Sequence, residues 1–273
     1  MEKICITGGK GGVGKSMFAI LLANDLLKKG KKVILCDCDV ECPNDYLLLG
    51  QKLGKLVGQI YSEFPKIDNK KCRKCGICVK TCLSNAIFQA PEKYPLIIEN
   101  LCSGCKACGI ACPYGAISFY KKRTGRVFLT KVKKNFWLAT GLANPGLEET
   151  GLIAAGTKNT ILRLSRKINP DFILFDTAAG IHCPVVSVLI GCDSAYCLTE
   201  PTPMGAYDLS LILELCRKLG VKSKVVINQA DLGDKAKVYK IAKKFKVKIE
   251  KEVPYSKELA IAYSNGNLLN FWK

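Results

Sequence analysis

Eight of the sixteen cysteines fall into two runs of identical spacing. Cys72, Cys75, Cys78 and Cys82 read C-x2-C-x2-C-x3-C, and Cys102, Cys105, Cys108 and Cys112 repeat it. Thiolates bind iron, and spacings this short let one loop wrap three corners of an iron–sulfur cube. A single C-x2-C pair also suits zinc, but two matching four-cysteine runs make zinc a distant second. The two runs interrupt a chain whose beginning obeys a different rule.

Gly9-Lys10-Gly11-Gly12-Val13-Gly14-Lys15-Ser16 fits G-x4-G-K-[ST] and follows the strand-like Glu2 to Thr7. Glycines there let backbone N–H groups approach phosphates, and the helix that follows adds its positive end. Lys15 would reach the β- and γ-phosphates, the Ser16 hydroxyl would bind Mg²⁺, and Met17 continues the binding segment into the helix. The expected helix covers 16–29, and a second strand over 32–36 ends at Asp37-Cys38-Asp39. This β-loop-α-β start calls for a parallel sheet. An apolar strand at 172–175 runs into Asp176, which suits a Mg²⁺-water ligand, with Gly180 completing D-x3-G. Asp39 stands where a first switch would begin; Asp37 also fits a turn using Asp for local hydrogen bonds.

Composition shifts near Pro65, and turn residues accompany both cysteine runs as far as about Arg126. Asn85-Ala86-Ile87 after the first run matches Gly115-Ala116-Ile117 after the second. The expected organisation is a discontinuous outer domain, 1–66 and 126–273, holding an inserted domain, 67–125. Further strands are expected at 195–198 and 224–227, and helices at 150–167, 204–219, 235–245 and 256–264, with Gly220 as a C-cap.

The remaining eight cysteines, Cys5, Cys36, Cys38, Cys42, Cys183, Cys192, Cys197 and Cys216, lie mostly in apolar stretches. That suits free thiols in a reducing cytoplasm better than a disulfide scaffold. No signal peptide precedes the first strand, and no segment approaches the ~18 apolar residues of a membrane span. Forty-two basic residues against 23 acidic ones give a formal charge of +19. This excess keeps the surface solvated or attracts an acidic partner. The basic runs do not alternate with aromatics, so the case for nucleic acid is weak. The runs beside the cysteines are those expected to dock an acidic electron donor.

Gly-Lys-Gly-Gly-Val-Gly-Lys-Ser, with its second lysine at Lys10, closely resembles the deviant Walker A loop of the MinD/ParA group of P-loop ATPases. That group includes the nitrogenase iron protein and the Mrp-type iron–sulfur carriers. The resemblance extends to the Asp39 and Asp176 switches and to Thr199-Glu200-Pro201-Thr202-Pro203. The cysteine runs resemble a bacterial 2[4Fe–4S] ferredoxin, inserted as in a subset of the MinD-like ATPases. The resemblance implies an α/β parallel-sheet domain interrupted by a small α+β two-cluster domain. It also implies an ATP-sandwiched homodimer in which Lys10 reaches the partner's nucleotide, Asp39 orients the attacking water and Asp176 serves Mg²⁺. In two-cluster ferredoxins the fourth cysteine of each run ligates the other cluster. Carried over, Cys72, Cys75, Cys78 and Cys112 hold one cluster, and Cys102, Cys105, Cys108 and Cys82 the other. Leu83 departs from the pattern, standing where proline follows the first run's last cysteine.

Asn228-Gln229-Ala230-Asp231 approaches the guanine-reading N-K-x-D, with Gln for Lys. The family resemblance favours ATP, with Asn228 at the base. His182 fits an ordinary loop residue. Cys183 fits a helix start beside Pro184, with a bridging-cluster ligand at a dimer interface as the minority alternative. The expected activity is ATP hydrolysis coupled to electron transfer, toward a redox partner or metallocofactor assembly. The alternatives are a cluster carrier or scaffold, and a positioning ATPase with a structural cluster domain. For the last, the ending Gly266 to Lys273 is too short for a membrane-binding amphipathic helix.

Overall fold

The computed structural model describes residues 1–270. The end of the Gly266–Lys273 segment therefore lies outside the described residues. In chain order the first elements are β1 (Glu2–Thr7), α1 (Lys15–Lys28), β2 (Val33–Asp37), α2 (Asp45–Leu48) and the long β3 (Lys55–Ile67). The cysteine-rich segment holds α3 (Ile77–Thr81), β4 (Ile87–Phe88), β5 (Leu96–Ile97) and α4 (Ala107–Ile110). Then come β6 (Ile117–Lys133), β7 (Phe136–Ala143), α5 (Gly151–Ile168), β8 (Phe172–Asp176), α6 (Cys183–Leu189), β9 (Ser194–Thr199) and α7 (Pro203–Lys218). The last are β10 (Lys222–Asn228), α8 (Ala236–Phe245), β11 (Ile249–Val253) and α9 (Lys257–Ser264).

Nine of these strands form one sheet in the order β11-β10-β9-β1-β8-β2-β7-β6-β3. Every pairing from β11 to β7 is parallel, whereas β6 runs antiparallel to both β7 and β3. Successive strand residues point to opposite faces. Cys5, Ile34, Ile173 and Phe175 therefore enter one core, and Ile4, Ile6, Leu35 and Leu174 the other. Helices α5, α6, α7 and α8 close the first core, and α1 and α9 help close the second. Burial on both faces explains why β2 and β8 read as nearly unbroken apolar runs, and β1 so from Ile4 to Ile6.

The cysteine-rich segment leaves this sheet through a ribbon. Paired with β3, strand β6 runs from Leu129 opposite Lys55 out to Ile117 opposite Ile67. The boundaries read from composition, 66/67 and 125/126, both fall inside these two strands. At the ribbon's far end, α3 packs against α4, and Cys78, Ile87 and Cys108 form a small third core. The strands at 55–67, 136–143 and 249–253 are additional to those expected from the sequence, and the short strand expected after the second cysteine run extends from Ile117 to Lys133. The turn expected at Asp37-Cys38-Asp39 begins one residue later, because Asp37 ends β2 with its carboxylate buried.

Close packing of α5 on the sheet requires Gly141 in β7. A Cβ there would lie 2.5 Å from Thr157 Oγ1 and 2.7 Å from Val40 Cγ1. Gly141→Ala should therefore destabilise the protein by about 1–3 kcal/mol, read from urea unfolding, as overpacking a closed core does.

Candidate functional site

The loop between β1 and α1 folds as its glycines dictate. Gly12 and Gly14 have φ of +76° and +90°, a region that penalises any Cβ. A Cβ on Gly14 would also lie 2.5 Å from Asn228 Nδ2, and one on Gly9 2.5 Å from the Asp208 Cβ. Asn228, at the end of β10, donates from Nδ2 to the Val13 carbonyl (3.1 Å) and so braces the loop from a strand end two places away in the sheet.

A cavity of about 400 Å³ opens over this loop. Gly11, Gly12, Gly14, Lys15, Ser16, Met17, Asp39 and Asn228 all line it. Gly9, Lys10, Val13 and Asp176 stand outside its lining. Lys10 turns away, its Nζ 2.5 Å from Glu200 Oε1 of its own chain. Lys15 is buried and donates to the Lys10 carbonyl (3.2 Å). Burial lowers the Lys15 pKa, opposed by Asp176 and Asp39.

The opposite wall was not legible as a motif. Pro254, Tyr255, Ser256, Leu259, Ala260 and Tyr263 supply it, from β11 through α9. A capping signal was present: Ser256 accepts from the Leu259 N–H and opens α9. Asp231 holds this wall in place, its Oδ1 accepting the Tyr255 N–H at 2.7 Å. Asp231 is not part of the cavity lining.

Beneath the loop lies an acidic group. Asp176 is buried with Oδ1 unpartnered. Burial pushes its pKa up to about 7, against the pull of the Ser16 hydroxyl and Lys15. Asp37 accepts N–H groups from Asp39, Asn44 and Asp45, yet burial and the Asp176 charge raise it well above the usual range. Asp45, which no sequence pattern flagged, is fully buried with both oxygens unpartnered, and burial and Asp37 raise it too. Half-buried Asp39 is raised mainly by desolvation. An unpartnered carboxylate in such a place is costly, and a cation would relieve it.

Two smaller cavities lie in the cysteine-rich segment. Cys72, Cys75, Cys78 and Cys112 line one; Cys82, Cys102, Cys105 and Cys108 line the other. Each run thus sends its fourth cysteine to the other run's cavity. The Lys74 N–H donates to Cys72 Sγ (3.4 Å), Ala86 N–H to Cys82 Sγ (3.3 Å) and Ala116 N–H to Cys112 Sγ (3.4 Å). Burial raises the Cys78 and Cys102 thiols, and Cys108 to about 11. Among the described residues, no three Cys, His, Asp or Glu side chains converge closely enough to hold a single metal ion.

Two contacts lead from the segment before Cys102 toward Asp39. The Glu148 N–H donates to the Asn100 carbonyl (3.1 Å), and Thr150 donates to Glu41 Oε1 (2.6 Å), two residues beyond Asp39. Cys183 is the first residue of α6, exposed, and packs against Gly151. His182 is its N-cap residue. Of the remaining cysteines, Cys5, Cys36, Cys38, Cys192, Cys197 and Cys216 are buried, and Cys42 is exposed.

With this geometry, the family model for the CobQ/CobB/MinD/ParA nucleotide-binding domain matches residues 4–269. The chain belongs to that family. It is 35% identical over 266 residues to an uncharacterised protein of Methanocaldococcus jannaschii, covering 97% of this chain and 90% of that one. The fold is that of the cell division ATPase MinD of Pyrococcus furiosus (TM-score 0.61, 17% identity, covering all of this chain and 91% of that one). A ParA family ATPase of Chlorobium tepidum is also similar (TM-score 0.58, 15% identity, 98% and 91%). A shorter likeness, 40% identity over 94 residues, links 31% of this chain to 34% of the Hdr-like menaquinol oxidoreductase iron-sulfur subunit 1 of Archaeoglobus fulgidus. Among the described residues no helix is long and apolar enough to cross a membrane.

Asp176 has a folded-state pKa of about 7 against 3.8 for a free Asp. Between these values the folded chain binds more protons than the unfolded one, so stability falls as pH rises from about 4 to 7. The nucleotide-free protein should show this slope in its urea midpoint, and Asp176→Asn should make it shallower, leaving the part that Asp37, Asp39 and Asp45 contribute.

Proposed function

We propose that this chain is an ATPase whose nucleotide state governs an inserted two-cluster iron–sulfur module, serving a redox partner or metallocofactor assembly. The observation that carries this reading is the exchange of fourth cysteines between two thiol-lined cavities in a chain that also holds a phosphate loop. In the proposed organisation, 1–66 and 126–273 form the ATPase domain and 67–125 the module, with the β3–β6 ribbon shared between them.

The cysteines suit a [4Fe–4S] cluster in each cavity: four thiols apiece, with N–H groups aimed at three of the sulfurs. Such N–H···S bonds are among the contacts that set cluster potentials. Loading requires thiolates, so protons leave the raised thiols as iron binds. When bound, the clusters supply one-electron chemistry. The iron-sulfur subunit of Archaeoglobus fulgidus named above supports the same assignment.

At the nucleotide, the backbone from Gly9 to Met17 cradles the phosphates and Lys15 neutralises the β/γ charge. Ser16 and the unpartnered Asp176 suit Mg²⁺ and its water, and Asp39 orients the attacking water. Lys10 leaves Glu200 to reach the nucleotide of a second copy in an ATP-closed homodimer. Adenine is favoured over guanine: Gln229 replaces the lysine of the guanine pattern, and Asp231 is committed to the Tyr255 backbone. Contacts from Glu41 through Thr150 and Glu148 to Asn100 give the switch a short route to the second cysteine site.

A second reading, a carrier whose clusters are cargo, draws on the exposure of Cys75 and Cys105. Brief chelation that strips iron rapidly while ATPase activity persists would favour it. For the leading function, ATPase rate and nucleotide affinity should differ between anaerobic oxidised and dithionite-reduced protein. Equal values in both states would overturn the coupling. Lys15→Ala should abolish turnover with the visible cluster absorption unchanged.

A further inference from the structure

The two cysteine sites differ in what surrounds them. The second lies against the ribbon and the start of α5. Pro65 and Phe119 of the ribbon line its cavity, and a Cβ on Gly104 would lie 3.3 Å from the Glu63 carbonyl oxygen and 3.6 Å from Leu152. Residues 99–116 carry one acid and one base, and both are engaged: Glu99 with Tyr120 and Lys122, Lys106 with Glu63.

The first site lies beneath the β4–β5 hairpin. Pro95 of this hairpin lines its cavity, and Gln89 ties it to the first cysteine loop by donating to the Lys74 and Lys93 carbonyls (3.1 and 2.9 Å). Ile87 and Ile97, a cross-strand pair, turn inward to pack with Cys78 and Cys108. The next pair, Phe88 opposite Leu96, turns outward, 59% and 67% exposed, and Ile98 beside them is 47% exposed. Sheet alternation places these three on one face.

The segment that carries this face has an excess of positive charge. From Asp68 to Ile98 six basic residues stand against two acidic ones, and all eight are exposed. Lys74 lies over the Tyr94 ring of the hairpin (4.7 Å). An apolar centre with a charged rim is the anatomy of a protein interface, and the sign of the rim selects the partner.

We propose that the outer face of the β4–β5 hairpin is the docking surface for a small acidic electron-carrier protein, which exchanges electrons through the Cys72, Cys75, Cys78 and Cys112 site. The exchange is one electron: the carrier is oxidised, the loaded chain is reduced, and no bond is made or broken. The second site, held against the ATPase domain, is then the one nearer the nucleotide switch. This assignment rests on the iron–sulfur loading proposed above.

The test uses the full, iron-loaded chain and a reduced acidic plant-type ferredoxin as probe, mixed anaerobically in stopped flow. The second-order rate should fall with added salt. It should also drop by about tenfold or more in Phe88→Ser/Leu96→Ser and in Lys70→Glu/Lys71→Glu/Lys93→Glu, the latter in the range that electrostatic steering supplies. Leu83→Ser, which removes a 96%-exposed apolar side chain beside Cys82, should leave the rate unchanged. Iron content and reduction by dithionite should be equal in every variant. The charge-reversal variant alters only exposed side chains, so it decides the matter if the apolar variant loses iron. A rate indifferent to salt and to both variants overturns the proposal. So does an equal loss in Leu83→Ser, or a changed oligomeric state in Phe88→Ser/Leu96→Ser, which would make the face a contact with a second copy. A wild-type chain without iron and sulfide would overturn the loading itself, a failure distinct from slow transfer into a loaded chain.

Discussion

The antiparallel pairing of β3 with β6 is the constraint on which this molecule turns. Near β7 it is part of the main sheet; at Ile67 and Ile117 it becomes the stalk of the cysteine-rich segment. A loop insertion would let that segment drift. A two-stranded ribbon, continuous in its hydrogen bonds with the sheet that carries the phosphate loop, fixes it in direction. The contacts of Asn100 with Glu148 and of Lys106 with Glu63 then set the second cysteine cavity against the outer domain. The phosphate loop and the cysteine-rich segment thereby share one frame.

The nucleotide cavity is held in an electrostatically unsatisfied condition. Asp37, Asp39, Asp45 and Asp176 all have carboxyls raised by burial, with Lys15 as the cation acting on Asp39 and Asp176. Such a group is costly unless a cation offsets its charge.

The sequence showed the elements whose signals are local. Helices α1, α5, α7, α8 and α9 lie within about two residues of the periodicity that announced them, which is the usual fraying of such limits. The phosphate loop was legible because its glycines, lysine and serine are contiguous. What was missed has non-local causes. Strands β3 and β6 hide because much of the ribbon is solvated on its outer stretch, so Lys121-Lys122-Arg123 reads as a charged loop although it is paired with Tyr61, Ser62 and Glu63. The wall from Pro254 to Tyr263 comes from the far end of the chain, and only the sheet order brings it to the loop. Asp45 carried no motif; its importance appears only once both of its oxygens are seen buried without partners.

The central claim is that the eight cysteines of the two runs hold two iron–sulfur cubes in the chain that binds the nucleotide. Its most direct measurement is iron and acid-labile sulfide per chain in anaerobically purified protein, beside the EPR spectrum after reduction. The account predicts about eight iron and eight sulfide per chain, with a spectrum of two interacting [4Fe–4S]⁺ centres. Zinc in place of iron, or iron without sulfide, would contradict it.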